Sequence, residues 1–196
     1  MTMGVLRHLP NLITVVRFIL IVPVVWCLLA AEFRWALACF AVAGLSDGLD
    51  GWLARTFGWT SRFGAVADPL ADKVLMGAVF IVLTLTAHVP WWLTAVVLLR
   101  DAVIVAGAGA YQWLIGKLEY AARFTGKAYT GIQIAFVLMV LVELAQIPGL
   151  EMLGDLRLLG ELAVLAFAVL SGGDYVFTWG QRAIRHSTPN NAGNEQ

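Results

Sequence analysis

The sequence predicts an all-α integral membrane protein: six transmembrane helices around a polar cavity that opens to the cytoplasmic side. Three observations predict it. The 196 residues are 60% hydrophobic and 13% charged, and their mean hydropathy of +0.81 lies outside the range of soluble domains. The apolar residues gather into six runs of spanning length separated by short polar turns. The basic residues then sort by turn: Arg7; Arg55, Arg62 and Lys73; Lys117, Arg123 and Lys127; Arg182 and Arg185 fall on one side. Arg34 and Arg157 fall on the other, accompanied by Glu32, Glu143, Glu151 and Asp155. By the positive-inside rule both termini are cytoplasmic. Formal net charge is zero, so no bulk electrostatic case for nucleic acid exists.

Taken in order, residues 1–11 form an amphipathic lead-in suited to the membrane interface, and Pro10-Asn11 marks the turn into the first span, 12–30. Arg17 lies inside that span, where a cation must snorkel or meet an anion. The second span, 35–54, carries Asp47, Asp50 and Arg55 at its end, among Gly44, Gly48 and Gly51. A loop with Trp59, Arg62 and Phe63 leads to the third, 65–87, which holds Asp68, Pro69 and Asp72 in its first turns. Trp91 and Trp92 sit at belt depth before the fourth, 92–114, which contains Arg100-Asp101 and two expected packing glycines, Gly107 and Gly109. A basic loop with Lys117, Arg123 and Lys127 precedes the fifth, 129–147, and a polar turn precedes the sixth, 158–180. Residues 1–185 read as one membrane domain and 186–196 as a disordered tail. Cys27 and Cys39, isolated in apolar runs, make neither a disulfide framework nor a zinc site.

Against this background four aspartates stand out. Asp47/Asp50 and Asp68/Asp72 are spaced three and four residues apart, so each pair shares one helical face. Four carboxylates gathered at low dielectric repel one another. Divalent cations remove that cost, and an all-oxygen donor set selects Mg2+ or Mn2+ over zinc or copper. Hard cations beside a basic rim suit phosphoryl chemistry: they neutralise a pyrophosphate, while a carboxylate less committed to metal accepts a proton from an attacking hydroxyl. The same aspartates could instead cap a helix pair with salt bridges, or bind a transported ion. Transport is disfavoured because such sites lie near the midplane of repeated halves, and no repeat is evident here.

The spacing Asp47-x-x-Asp50-Gly51-x-x-Ala54-Arg55, eight residues, Gly64, three residues, Asp68, three residues, Asp72 resembles the CDP-alcohol phosphatidyltransferase motif at all eight fixed positions. The resemblance implies a homodimeric membrane enzyme, in the inner membrane of a bacterium, that moves a phosphatidyl group from CDP-diacylglycerol to an alcohol with release of CMP. It implies two Mg2+ or Mn2+ ions on Asp47, Asp50, Asp68 and Asp72, with Asp72 also the general base, and a nucleotide site lined by Gly51, Ala54, Arg55 and Gly64. Beyond the motif, PNLITVVR, LDGWLAR, ADPLADK and Gly126-Lys127-x-x-Thr130-x-x-Gln133 are similar to the branch that makes phosphatidylglycerophosphate from glycerol 3-phosphate. On that reading Arg17, Arg100, Arg123 and Lys127 are candidates for the acceptor phosphate. Arg100-Asp101 departs from that branch, where Arg-Glu is common, and RDAVIVAGA is closer to CDP-dependent cardiolipin synthases, whose acceptor is phosphatidylglycerol. Glycerol 3-phosphate leads, phosphatidylglycerol is the alternative, and a non-catalytic transporter or scaffold is the remote one.

Overall fold

The structure is a computed structural model. It describes the backbone over residues 9–57, 64–114 and 124–187, and side chains over 16–46 except 17, 70–109 except 108, and 125–175 except 151. Six α-helices carry the fold: α1 (Leu9–Leu29), α2 (Phe33–Phe57), α3 (Gly64–Leu85), α4 (Trp91–Leu114), α5 (Phe124–Leu144) and α6 (Arg157–Ser187), with a 3-10 turn, Glu151–Leu156, before the last. Each run expected to span a membrane is a helix. The ends differ from expectation for local reasons. Pro10 and Asn11 lie in the first turn of α1, not before it, where a missing N–H costs no intrahelical bond. The fifth helix starts at Phe124, so Lys127 is helical and not part of a loop. The sixth runs on to Ser187, past the expected tail boundary at 186.

Successive helices alternate in direction, so the starts of α2, α4 and α6 share one end of the bundle with the finishes of α1, α3 and α5. The chain reverses tightly at this end. After α1, Glu32 N–H donates to the Cys27 carbonyl (2.8 Å) and Ala31 N–H to Leu28 (3.2 Å). After α3, His88 N–H donates to Leu83 (2.7 Å) and Ala87 N–H to Thr84 (3.0 Å). Both are Schellman closures, and both place an alanine in the left-handed region, Ala31 at φ 57° and Ala87 at φ 59°. Arg34 reinforces this end by donating from Nε to the Ala145 carbonyl at the finish of α5 (3.2 Å), where a helix dipole favours a cation.

The core lies along α3 and α5: Leu75, Val79, Phe80 and Leu83 from one, Phe136, Val137, Val140 and Leu141 from the other. Phe80 stacks on Phe136 with ring centroids 6.0 Å apart. Thr94 and Thr84 hydrogen-bond between α4 and α3 at 2.6 Å, a polar tie inside an apolar seam. Among the described glycines the closest fit is on α6 against α5, where a Cβ on Gly160 would come 2.7 Å from Met139 Cε and 2.8 Å from Phe136 Cδ2. Gly160 is thus a packing glycine. Gly107 and Gly109, expected in that role, have no described atom within 4 Å of a built Cβ, and neither has Gly44.

Many large apolar side chains among the described residues are exposed. Ile19, Val22, Leu45, Leu99, Leu158 and Val169 are all more than 60% exposed, a surface that is stable only against an apolar surround. Trp26, Trp35 and Trp91 are each at least 66% exposed and lie at the end with the tight reversals, as interfacial tryptophans do. By length and composition one described helix, Thr125–Leu144, passes as a membrane span, and Phe18–Leu29 and Phe33–Ser46 are shorter apolar stretches. Cys27 and Cys39 are free thiols packed against the core.

Candidate active site

The aspartate pairs sit where two consecutive helices meet the same end of the bundle. Asp47 and Asp50 lie in the C-terminal half of α2, and Asp68 and Asp72 in the first nine residues of α3, which Gly64 begins. The intervening reversal, with Trp59, Arg62 and Phe63, lies outside the described residues. So do the side chains of Arg17, Asp47, Asp50, Gly51, Ala54, Arg55, Gly64 and Asp68, and the whole of Arg123. The backbone therefore places both pairs at one end of two consecutive helices. A donor set of carboxylates alone fits a hard divalent cation in kind and in charge.

Asp72 is described and half-buried. One residue on, Lys73 enters a network that reaches four helices. Its Nζ donates to Asp101 Oδ1 on α4 at 2.6 Å, and Arg100 Nη1 donates to the same oxygen at 2.7 Å. Arg100 Nη2 donates in turn to Ser171 Oγ on α6. The guanidinium lies over the Tyr129 ring of α5, 4.1 Å from its centroid. Gly126 and Gly172 flank the side chain at ordinary contact distance: a Cβ on Gly126 would stand 3.9 Å from Arg100 Nη2, and one on Gly172 3.7 Å from Arg100 Cγ. The Arg100 side chain is only 8% exposed and Asp101 15%, so the pairing operates where water screens it weakly. A further link on this side, Thr125 Oγ1 to Asp174 Oδ2 at 3.1 Å, joins the start of α5 to α6.

Of the residues expected to meet an acceptor phosphate, Arg100 is inside the bundle and paired, while Lys127 is exposed in the first turn of α5. Sequence reasoning missed Lys73 as Asp101's partner, and it missed Ser171 and Tyr129. The signal available was a serine and a tyrosine in otherwise apolar runs opposite an intramembrane arginine. Gln133, one turn from Tyr129, is 2% exposed. Its Nε2, Tyr129 Oη and Arg100 Nε are buried without a partner in the structure, an arrangement that ordered water ordinarily satisfies.

The opposite end of α3 carries a different surface. A cleft of about 550 Å3 is lined by Thr84, His88, Trp91, Trp92, Arg157 and Glu161, among others. Arg157 is pinned there by Glu143 (3.1 Å) and Glu161 (3.7 Å). Thr84 lies twelve residues beyond Asp72 on one helix, about 18 Å away at 1.5 Å per residue.

Comparison with known proteins identifies the family. The family model described as CDP-alcohol phosphatidyltransferase matches residues 7–172. A protein of Mycobacterium bovis named putative cardiolipin synthase is 37% identical over 134 residues, covering 67% of this chain and 64% of that protein. The chain thus spans a little under two thirds of that relative's length. A probable phosphatidylglycerophosphate synthase of Mycobacterium tuberculosis is 32% identical over 189 residues, covering 92% of this chain and 83% of the relative. A CDP-diacylglycerol–glycerol-3-phosphate 3-phosphatidyltransferase of Salmonella choleraesuis is 32% identical over 163 residues, or 68% and 88% of the two chains.

Proposed function

The chain belongs to the CDP-alcohol phosphatidyltransferase family, and on that premise we propose that it transfers a phosphatidyl group from CDP-diacylglycerol to glycerol 3-phosphate. The observation that carries the proposal is the placement of both aspartate pairs at one end of two consecutive helices, in a bundle whose outside suits lipid. Asp47, Asp50, Asp68 and Asp72 would hold two Mg2+ or Mn2+ ions. Once bound, these supply charge neutralisation at the pyrophosphate. Gly51, Ala54, Arg55 and Gly64 form the nucleotide side, where small residues admit the base and Arg55 meets phosphate. Asp72 accepts the proton of the acceptor hydroxyl, whose oxygen forms a bond to the phosphorus carrying diacylglycerol. The bond from that phosphorus to the CMP oxygen breaks, and CMP departs. Arg17, Arg123 and Lys127 bring positive charge to the acceptor phosphate, and Arg100 contributes field from within the bundle.

The chain works as an integral protein of the bacterial inner membrane, with residues 1–185 as one domain, the aspartate end cytoplasmic, and two copies forming a dimer. A membrane enzyme suits the reaction because the lipid substrate never leaves the bilayer. Phosphatidylglycerol is a second acceptor, favoured by one observation: Arg100 is buried and held by Asp101 and Ser171, and withdrawing one cation matters less to a singly charged diester than to a dianion. The test is CMP release by purified protein with CDP-diacylglycerol and Mg2+, offering each acceptor separately. Asp72→Asn should lower turnover by at least about a hundredfold, as loss of a general base does. Release with neither acceptor, by protein that is folded, would overturn the proposal.

A further inference from the structure

Tyr129 is the largest side chain wholly buried among the described residues, yet its hydroxyl has no partner there. A tyrosine buried for packing alone ordinarily finds a partner for its O–H. What this ring does have is a cation: the Arg100 guanidinium lies over it, 4.1 Å from the centroid. The other contacts of Arg100 come from its edge. Nη1 donates to Asp101 on its own helix and Nη2 to Ser171 on α6, and such bonds lie near the plane of the guanidinium. They leave that plane free to tilt about the line joining them, and the face of Tyr129 closes this freedom. Arg100 lies well inside α4, where an arginine not held in place reaches for the interface.

We infer that Tyr129 is a positioning residue that fixes the Arg100 guanidinium through its ring face, so that a localised charge acts on the acceptor phosphate. The inference rests on the acceptor role proposed for Arg100 and adds a residue to it. The hydroxyl is dispensable and the ring is not. Phenylalanine keeps the face and removes an unmet buried O–H. Leucine keeps apolar volume and removes the face. Because the ring acts through Arg100, its loss weakens binding of the acceptor and leaves that of CDP-diacylglycerol as it was. A ring that only fills space contributes to folding and to neither substrate.

The measurement is CMP release by the full-length protein in lipid nanodiscs with Mg2+, varying glycerol 3-phosphate and CDP-diacylglycerol in turn. Y129L should raise the KM for glycerol 3-phosphate about tenfold, the scale of a desolvated cation–π contact, and leave that for CDP-diacylglycerol within about twofold. Y129F should match the unaltered protein within about twofold for both substrates. R100K keeps the charge without the stacking face and should resemble Y129L. Y129L/R100K should exceed neither single variant by more than about twofold, as two cuts in one contact do. An acceptor KM unchanged in Y129L, raised in Y129F, or compounding in the double variant would overturn the inference while leaving the reaction intact. So would a rise in Y129L that is equal for both substrates. If Y129L does not fold, Y129F and R100K decide: a normal and a raised acceptor KM support the inference, and any other pair overturns it. If the unaltered protein accepts only phosphatidylglycerol, the same variants are read on that acceptor's phosphate. Absence of release with either acceptor would overturn the proposed reaction and this inference with it.

Discussion

Arg100 shows how much one side chain can hold. Its guanidinium bonds a carboxylate on its own helix, a hydroxyl on α6 and the face of a tyrosine on α5. A lysine keeps the charge but lacks the planar fork and the stacking face. Arg100→Lys should therefore destabilise the bundle by about 1–3 kcal/mol, read as a lower melting temperature in detergent, and Ser171→Ala by about 1 kcal/mol. The adjacency of Arg100 and Asp101 was plain in the sequence, and so was the cost of leaving either unpaired. Their other partners were not. Lys73 is 28 residues before Asp101, and Ser171 is 71 residues after Arg100. Only packing brings such distances together, and a periodicity analysis of single helices contains no information about it. The four aspartates were legible for the opposite reason: each pair is local, and the spacing alone sets its face.

At the scale of elements, the reversals and the close contacts make the predictions. Ala31 and Ala87 occupy left-handed caps that cost an L-residue roughly 1 kcal/mol or more. Ala87→Gly should raise thermal stability by up to about 1 kcal/mol, the relief being partly offset by a freer unfolded chain. Gly160→Ala should do the reverse. Met139 can swing its terminal methyl away, but Phe136 is wedged against Phe80, so overpacking of about 1–3 kcal/mol is expected, with loss of the folded peak on size exclusion. All six helices were legible because apolar runs of spanning length have few alternatives. Their ends were less so. Pro10 reads as the turn before the first span yet lies within the first turn of α1, and Lys127 reads as loop yet lies in the first turn of α5. The packing role went to Gly160 over Gly107 and Gly109 because glycine content marks where approach is allowed; the neighbouring helix decides where it happens.

The whole molecule has two unlike ends. One bears the two aspartate pairs of α2 and α3; the other bears the tight reversals, Trp26, Trp35 and Trp91, and the cleft beside Arg157. If the aspartate end faces the cytoplasm, a cysteine at His88 should react with a membrane-impermeant maleimide in intact cells, and one at position 190 only after permeabilisation. Cys27 and Cys39 would be replaced by serine or alanine for this measurement. Equal labelling from both sides would refute a single orientation. The proposed homodimer is checked separately, by light scattering of the protein–detergent complex.

The contact at Gly160 also has a consequence for descent. A glycine pressed against Phe136 and Met139 changes alone only at a cost in stability. A lineage that acquires a side chain at 160 gains by shrinking 136 or 139, and one that loses the phenylalanine has less need of the glycine. Across the family, these three positions should therefore drift as a linked set, and their covariation would record the α5–α6 seam in sequences alone.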